Sequence, residues 1–269
     1  MNQKRKLPEL PLSNVDLPRS AVWKSYPPPF PVMQDQPAPA LARAPEAVKE
    51  AVCKYCGKPA HAFAEKGGSS IGVSSILERR IFKGSDKRLH PWYTGLRSLQ
   101  AHHLICSEAL DHTDWVLICN LFGYDINHKN NGVMLPNTMA LACQLFAPLH
   151  RGPHDAGLAD GLPYPSRVKQ LAEQFKKKAL TGAYCDDPRA LVDDLDDLSA
   201  DILAKVDRFV YTLTCDGADY AEGVRGCAGA TSVARKLHHV CPAARRHGLK
   251  QNGVGPVIQR RRGSLKVGV

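Results

Sequence analysis

Between Gln100 and His154 the chain sets two histidine pairs, His102-His103 and His150 with His154, around an asparagine- and glycine-rich segment. That punctuation rules out one long helix. Gly123 and then Asn130-Asn131-Gly132 predict turns, and Val133-Met134-Leu135-Pro136 predicts a short strand after them. Gln100 to Ile105 reads as a second extended segment. Neighbouring side chains on an extended segment point to opposite sides, so His102 and His103 are expected to serve different partners. His150 and His154 have the i, i+4 spacing of one helix face, but Gly152 and Pro153 lie between them. His150 is therefore expected to end one element and His154 to begin another.

Histidines so placed suit phosphodiester hydrolysis. The reaction needs a water, a group to take its proton, and positive charge on the phosphate and leaving oxygen, which a histidine and a divalent cation together supply. Imidazole ligands favour zinc, nickel, cobalt or manganese over calcium, and a water-rich site with a phosphate ligand also admits magnesium. Asn130 or Asn131 is placed to hydrogen-bond the imidazole that acts as base.

Lys and Arg number 36 against 26 Asp and Glu, a formal charge of +10, which makes a polyanion a plausible partner. Lys87 and Arg88, in a basic loop followed by Trp92 and Tyr93, combine positive charge with flat rings, as a nucleic-acid strand requires. Arg151 and the Lys176-Lys177-Lys178 run are further phosphate contacts. No apolar run is long enough to span a bilayer, and the first residues lack the apolar core of a signal peptide, so no membrane role is expected.

Residues 1–44 are proline-rich, with Tyr26-Pro27-Pro28-Pro29-Phe30-Pro31 at their densest, and read as a disordered tether. A short helix from Pro45 is expected to lead to Cys53-Lys54-Tyr55-Cys56-Gly57, whose spacing lets two thiolates bind one zinc. This is half a site. His61, Cys106, Cys119, Cys185, Cys215, Cys227 and Cys241 are all available as its remainder, and the other reading of Cys53 and Cys56 is a reduced, partly buried thiol pair.

Ser75 to Glu78 predicts a capping box opening a short helix. Ser107 to Phe122 predicts another, Asn137 a cap for a third, and Tyr164 to Phe175 a clearer one. Asp187-Pro188 opens the strongest helical pattern, with apolar residues at a 3.6-residue period from Leu191 to Leu213. The aspartates between Asp193 and Asp201 are its wet face. The whole divides into the tether, a nuclease-like domain over 45–185, a helical extension packed on it over 186–248, and a basic tail over 249–269 without a core of its own. His238-His239, adjacent on an expected helix, face different ways and carry no site.

Ala101-His102-His103, Asp125-Ile126-Asn127 leading to Asn131-Gly132-Val133-Met134-Leu135-Pro136, His150-Arg151-Gly152-Pro153-His154 and the later Tyr164 together resemble the AHH nucleases of the HNH, or His-Me finger, superfamily. The resemblance implies an α+β fold with a small ββα-metal core in a mostly helical domain. It implies His103 as general base, His102 as metal ligand, His150 and His154 as further ligands or phosphate contacts, and Asn131 as the group orienting the base. In the family pattern a tyrosine follows the last histidine more closely than Tyr164 does here. The function implied is a metal-dependent endonuclease cutting DNA with one divalent cation (Mg, Mn, Ni or Zn), an antibacterial toxin delivered from the producer's cytoplasm into a target cell by a specialised secretion system and neutralised by an acidic immunity protein. An RNase toxin, and a non-catalytic zinc-stabilised nucleic-acid-binding protein, are the alternatives.

Overall fold

The computed structural model describes residues 53, 55–58, 68–150, 154, 162–211, 213 and 246–269. The tether over 1–44, the helix leading to Cys53, Arg151 and the histidine doublet His238-His239 lie outside the described residues.

A hairpin sits at the centre. Strand β1 (Leu99–His103) pairs antiparallel with β2 (Gly132–Pro136), Ala101 facing Met134 and His103 facing Gly132. Alternation sends Leu99, Ala101 and Met134 to one face, where they pack on Leu77 and Ile81 of helix α1 (Ser74–Phe82). Val133 and Leu135 join the larger core on the other face, so all five residues of β2 are buried. Gly132 is extended, and its lack of a side chain matters sterically: a Cβ there would fall 2.5 Å from Leu77 Cδ1. The free edge of β2 is also used. Gly132 O accepts from Gly268 N–H at 2.7 Å, and Met134 N–H donates to Val269 O at 2.9 Å.

Helices build the larger core. Helix α2 (Thr113–Phe122) contributes Trp115, Ile118 and Phe122, helix α4 (Tyr164–Leu180) contributes Tyr164, Val168 and Ala172, and helix α5 (Pro188–Asp207) contributes Leu191, Leu195, Ile202 and Val206. Between β2 and α4 lies the short helix α3 (Met139–Leu145). Among the described residues the architecture is α+β, a two-stranded core held among five α-helices. Among the described residues no helix is long and apolar enough to cross a membrane.

Several element ends differ from expectation. Helix α1 begins without a capping box: Val73 takes the cap position, and its N–H donates to Asn127 Oδ1 at 2.6 Å instead. Asn137 likewise gives way to Thr138 at the start of α3. The helix expected from Ser107 divides, because the chain leaves a 3₁₀ turn at Leu110 and restarts at Thr113 behind a His112 cap. Helix α5 stops at Asp207, short of Leu213, with Phe209 left-handed at φ 59°. Its apolar period runs on past its backbone because Tyr211 and Leu213 still pack into the core after the chain has turned.

Residues 249–269 correct the reading of a tail without core. Ile258 is buried beside Leu77 and Met134, and Leu265 and Val267 pack on the larger core. Gln144 of α3 clasps the segment through the Leu249 and Ile258 carbonyls and the Leu249 N–H. Arg261 meets Asp207, the last residue of α5, at 2.5 Å and the Phe146 carbonyl at 2.9 Å.

Candidate active site

Two imidazoles leave the end of β1 on opposite sides, as an extended chain dictates. His102 turns toward α4. There its Nε2 lies 3.1 Å from the Tyr164 hydroxyl, which is itself 2.6 Å from the Leu104 carbonyl. A carbonyl only accepts, so the phenol proton goes to Leu104 and the phenol oxygen must accept from His102. His102 therefore carries its proton on Nε2. Its Nδ1, buried and without a hydrogen-bond partner, keeps a lone pair.

The His150 and His154 rings crowd around that of His102. Their centroids lie 4.5 and 5.0 Å from that of His102, and their Nε2 atoms are 2.9 Å apart. His150 is anchored by its N–H to the Pro136 carbonyl at the end of β2, at 2.9 Å. One ligand nitrogen from each of the three histidines lies within 4.8 Å of the others. Burial holds His102 neutral far below the ordinary histidine range, and burial with the neighbouring His154 and His103 rings pushes His150 down to about 3. Three imidazoles this close together fit a borderline divalent cation, and the buried His102 Nδ1 and His150 Nδ1 without hydrogen-bond partners agree with that use. Glu108 and Cys106, beside His154, form a second potential ligand group with it. Cys106 is the poorer donor, since burial pushes its thiol up to about 12.

His103 turns to the other side. Its Nε2 lies 3.1 Å from Asn127 Oδ1. The orientation of that amide is fixed, because Oδ1 accepts from Val73 N–H at 2.6 Å and Nδ2 donates to the Ile71 carbonyl at 2.9 Å. Facing an oxygen, His103 Nε2 carries the proton and Nδ1 is left basic. Burial lowers the His103 pKa, with the Asn127 bond opposing part of that shift. Gly72 keeps room for the ring, for a Cβ there would stand 3.3 Å from His103 Cε1 and Nε2.

Asn131, expected to orient the base, has a different task. Its Oδ1 accepts from Ile105 N–H at 2.7 Å and lies 2.9 Å from the Ser199 hydroxyl, while Nδ2 donates to the Ile105 and Ile126 carbonyls. It ties the ends of the hairpin loop together and to α5. Asn130 also turns away, donating to Asp196 of α5 at 2.6 Å. The asparagine that meets His103 is Asn127, which the sequence offered in its Asp125-Ile126-Asn127 triplet without a signal separating it from its neighbours.

The expected phosphate contacts are partly engaged. Lys87 pairs with Glu78 at 2.7 Å, Arg88 with Asp86, and Lys176 with Glu173 at 2.8 Å, whereas Lys177 is exposed. Of these pairs only Arg88–Asp86 is well exposed and of small individual worth; Lys87 and Lys176 are largely covered where they meet their carboxylates.

An oriented imidazole on one side of a strand, with three clustered imidazoles beside it, is an arrangement suited to metal-assisted hydrolysis. More particularly, residues 90–202 match the family model AHH, a nuclease family of the HNH/ENDO VII superfamily with conserved AHH, and Ala101-His102-His103 supplies that triplet here. The matched segment holds the hairpin, the histidine cluster and most of α5. No curated protein matches the chain, and no solved structure does.

Proposed function

We propose that this nuclease is a metal-dependent endonuclease that hydrolyses DNA. The observation that carries the reading is the paired tautomer assignment: Asn127 leaves His103 with a basic Nδ1, and Tyr164 leaves His102 with a lone pair on Nδ1. His102, His150 and His154 would hold a divalent cation, which would supply positive charge to the scissile phosphate and the departing oxygen. His103 Nδ1 accepts the proton of the attacking water as its oxygen bonds to phosphorus, and the phosphorus–oxygen bond opposite breaks. Asn127 holds the imidazole through this transfer and stabilises the imidazolium formed, because its oxygen accepts from the ring N–H. Lys87, Arg88, Arg151, Lys176 and Lys177 meet the backbone phosphates.

DNA is preferred to RNA because the superfamily resemblance leans that way. The same resemblance supports an antibacterial toxin, held in check in its producer by an acidic partner complementary to the charge of +10. The test is cleavage of supercoiled plasmid, and of a structured RNA in parallel, by metal-stripped protein given back magnesium, manganese, nickel or zinc. Nicking of plasmid that needs a metal and vanishes in His103→Ala, with plasmid binding retained, is the expected result. Cleavage of RNA alone would move the substrate to RNA, and binding without cleavage under every metal would sink the catalytic reading.

A further inference from the structure

Three thiols from two segments far apart in the chain meet near the end of α4 away from Tyr164. Cys53 and Cys56 come from a turn closed by Gly57 N–H to the Cys53 carbonyl and Cys53 N–H to the Lys58 carbonyl, each 2.8 Å, with Gly57 left-handed at φ 69°. Cys185 comes from the connection between α4 and α5, where its N–H donates to the Gly182 carbonyl at 2.9 Å. The two turns approach closely. Gly182 is left-handed at φ 79°, and a Cβ on it would stand 3.0 Å from Tyr55 Cβ.

We propose that Cys53, Cys56 and Cys185 bind a thiophilic cation, zinc by the chemistry of the donors, which fastens the 53–58 turn to the α4–α5 connection. One sulfur from each lies within 4.8 Å of the others. The Cys53 and Cys185 sulfurs are 3.7 Å apart. A disulfide holds its sulfurs at about 2.05 Å, whereas tetrahedral thiolates about 2.3 Å from zinc stand roughly 3.8 Å from one another. The separation is that of ligands sharing an ion. Cys53 is fully buried and Cys185 nearly so, while Cys56 is partly exposed, which leaves the approach for a fourth donor on the Cys56 side. Cys53 and Cys56 lie before the segment that matches the nuclease family and Cys185 lies within it, so the clasp joins a preceding turn to the domain. It also closes a loop of chain that contains the histidine centre. The site is independent of the proposed cleavage reaction, and its test reads no cleavage.

The full chain, purified under reducing conditions, would be stripped of metal and titrated with cobalt(II). Sulfur-to-cobalt charge transfer with the intense visible bands of a tetrahedral ion is expected, reversed by zinc. The bands should persist in His150→Ala and disappear in Cys185→Ser. Cys56→Ser, at the partly exposed position, guards against a folding failure: it should keep the native circular dichroism and lose roughly a third of the charge-transfer intensity. Zinc should also slow modification of these thiols by a thiol reagent at least tenfold. Cobalt bands without sulfur character, equal thiol reactivity with and without zinc, or a Cys53–Cys185 disulfide in the reduced preparation would each overturn the proposal.

Discussion

The single proton on the Tyr164 hydroxyl decides the state of His102. Tyr164→Phe removes the acceptor for His102 Nε2–H while keeping the ring in the core, so the imidazole can present the wrong tautomer to the cation. Metal affinity at the histidine centre should fall roughly 10- to 100-fold, as when outer partners of ligating histidines are lost, and cleavage should recover at high metal concentration. Calorimetric titration of metal-stripped protein checks this. Asn127 acts on the other imidazole. In the proposed reaction His103 acts as a base only when neutral, and its lowered pKa keeps it neutral to a pH below the ordinary 6.5, so cleavage should decline on acidification with a midpoint below that value. The Asn127 bond raises the His103 pKa, so Asn127→Ala should move this midpoint further toward acid and cut the rate roughly a hundredfold. A pH–rate profile tests both. Neither asparagine role was readable beforehand: Asn127, Asn130 and Asn131 are alike in type and neighbourhood, and only the backbone groups each meets in three dimensions separate an orienting amide from a structural one.

Elements were more legible than their ends. The 3.6-residue stripe from Leu191 to Val206 and the turn-then-strand pattern at Gly132 each appear where expected, because burial of an apolar face dominates local preference. Ends are settled by single hydrogen bonds and by crowding, which is why Val73 rather than Ser75 heads α1 and Phe209 bends the chain after α5. The turn after α1 also stores a pH dependence. His90 is buried between Phe82 and Trp92, where loss of water and then the Lys87 charge push its pKa down to about 4. In the unfolded chain it titrates near 6.5, so between those values the unfolded state binds the extra proton. This stability is complete above pH 6.5 and lost as pH falls to about 4, a change of about 3 kcal/mol. Urea midpoints at pH 7 and pH 4 should show it. His90→Gln, whose amide still offers an acceptor to Trp92 N–H, should flatten the curve by that share; an unchanged curve would mean that His90 protonates without strain.

For the whole molecule, charge alone misled at the C-terminal segment. Arg260-Arg261-Arg262 looks like one basic cluster, since residues 249–269 have neither a strand nor a helix period to reveal that they pack. Their apolar residues are irregularly spaced because they fill gaps already shaped by α1, α3 and β2, a pattern that exists only after the rest has folded. The three arginines consequently divide their work. Arg261 and Asp207 are both largely buried, and Arg261 also caps the Phe146 carbonyl, joining the ends of α3 and α5. Arg261→Ala leaves the Asp207 carboxylate without its cation and should cost about 3 kcal/mol, as for a broken buried pair. Arg262 is exposed, so Arg262→Ala should leave the melting temperature unchanged and instead weaken plasmid binding, with a salt dependence shallower by about one phosphate contact. Thermal melts and binding isotherms at several salt concentrations on the two variants separate these roles. If both variants merely lowered affinity at unchanged stability, the segment would be the loose basic tail its composition suggests; if Arg261→Ala melts early, the same chemistry that draws the chain to nucleic acid also closes its fold.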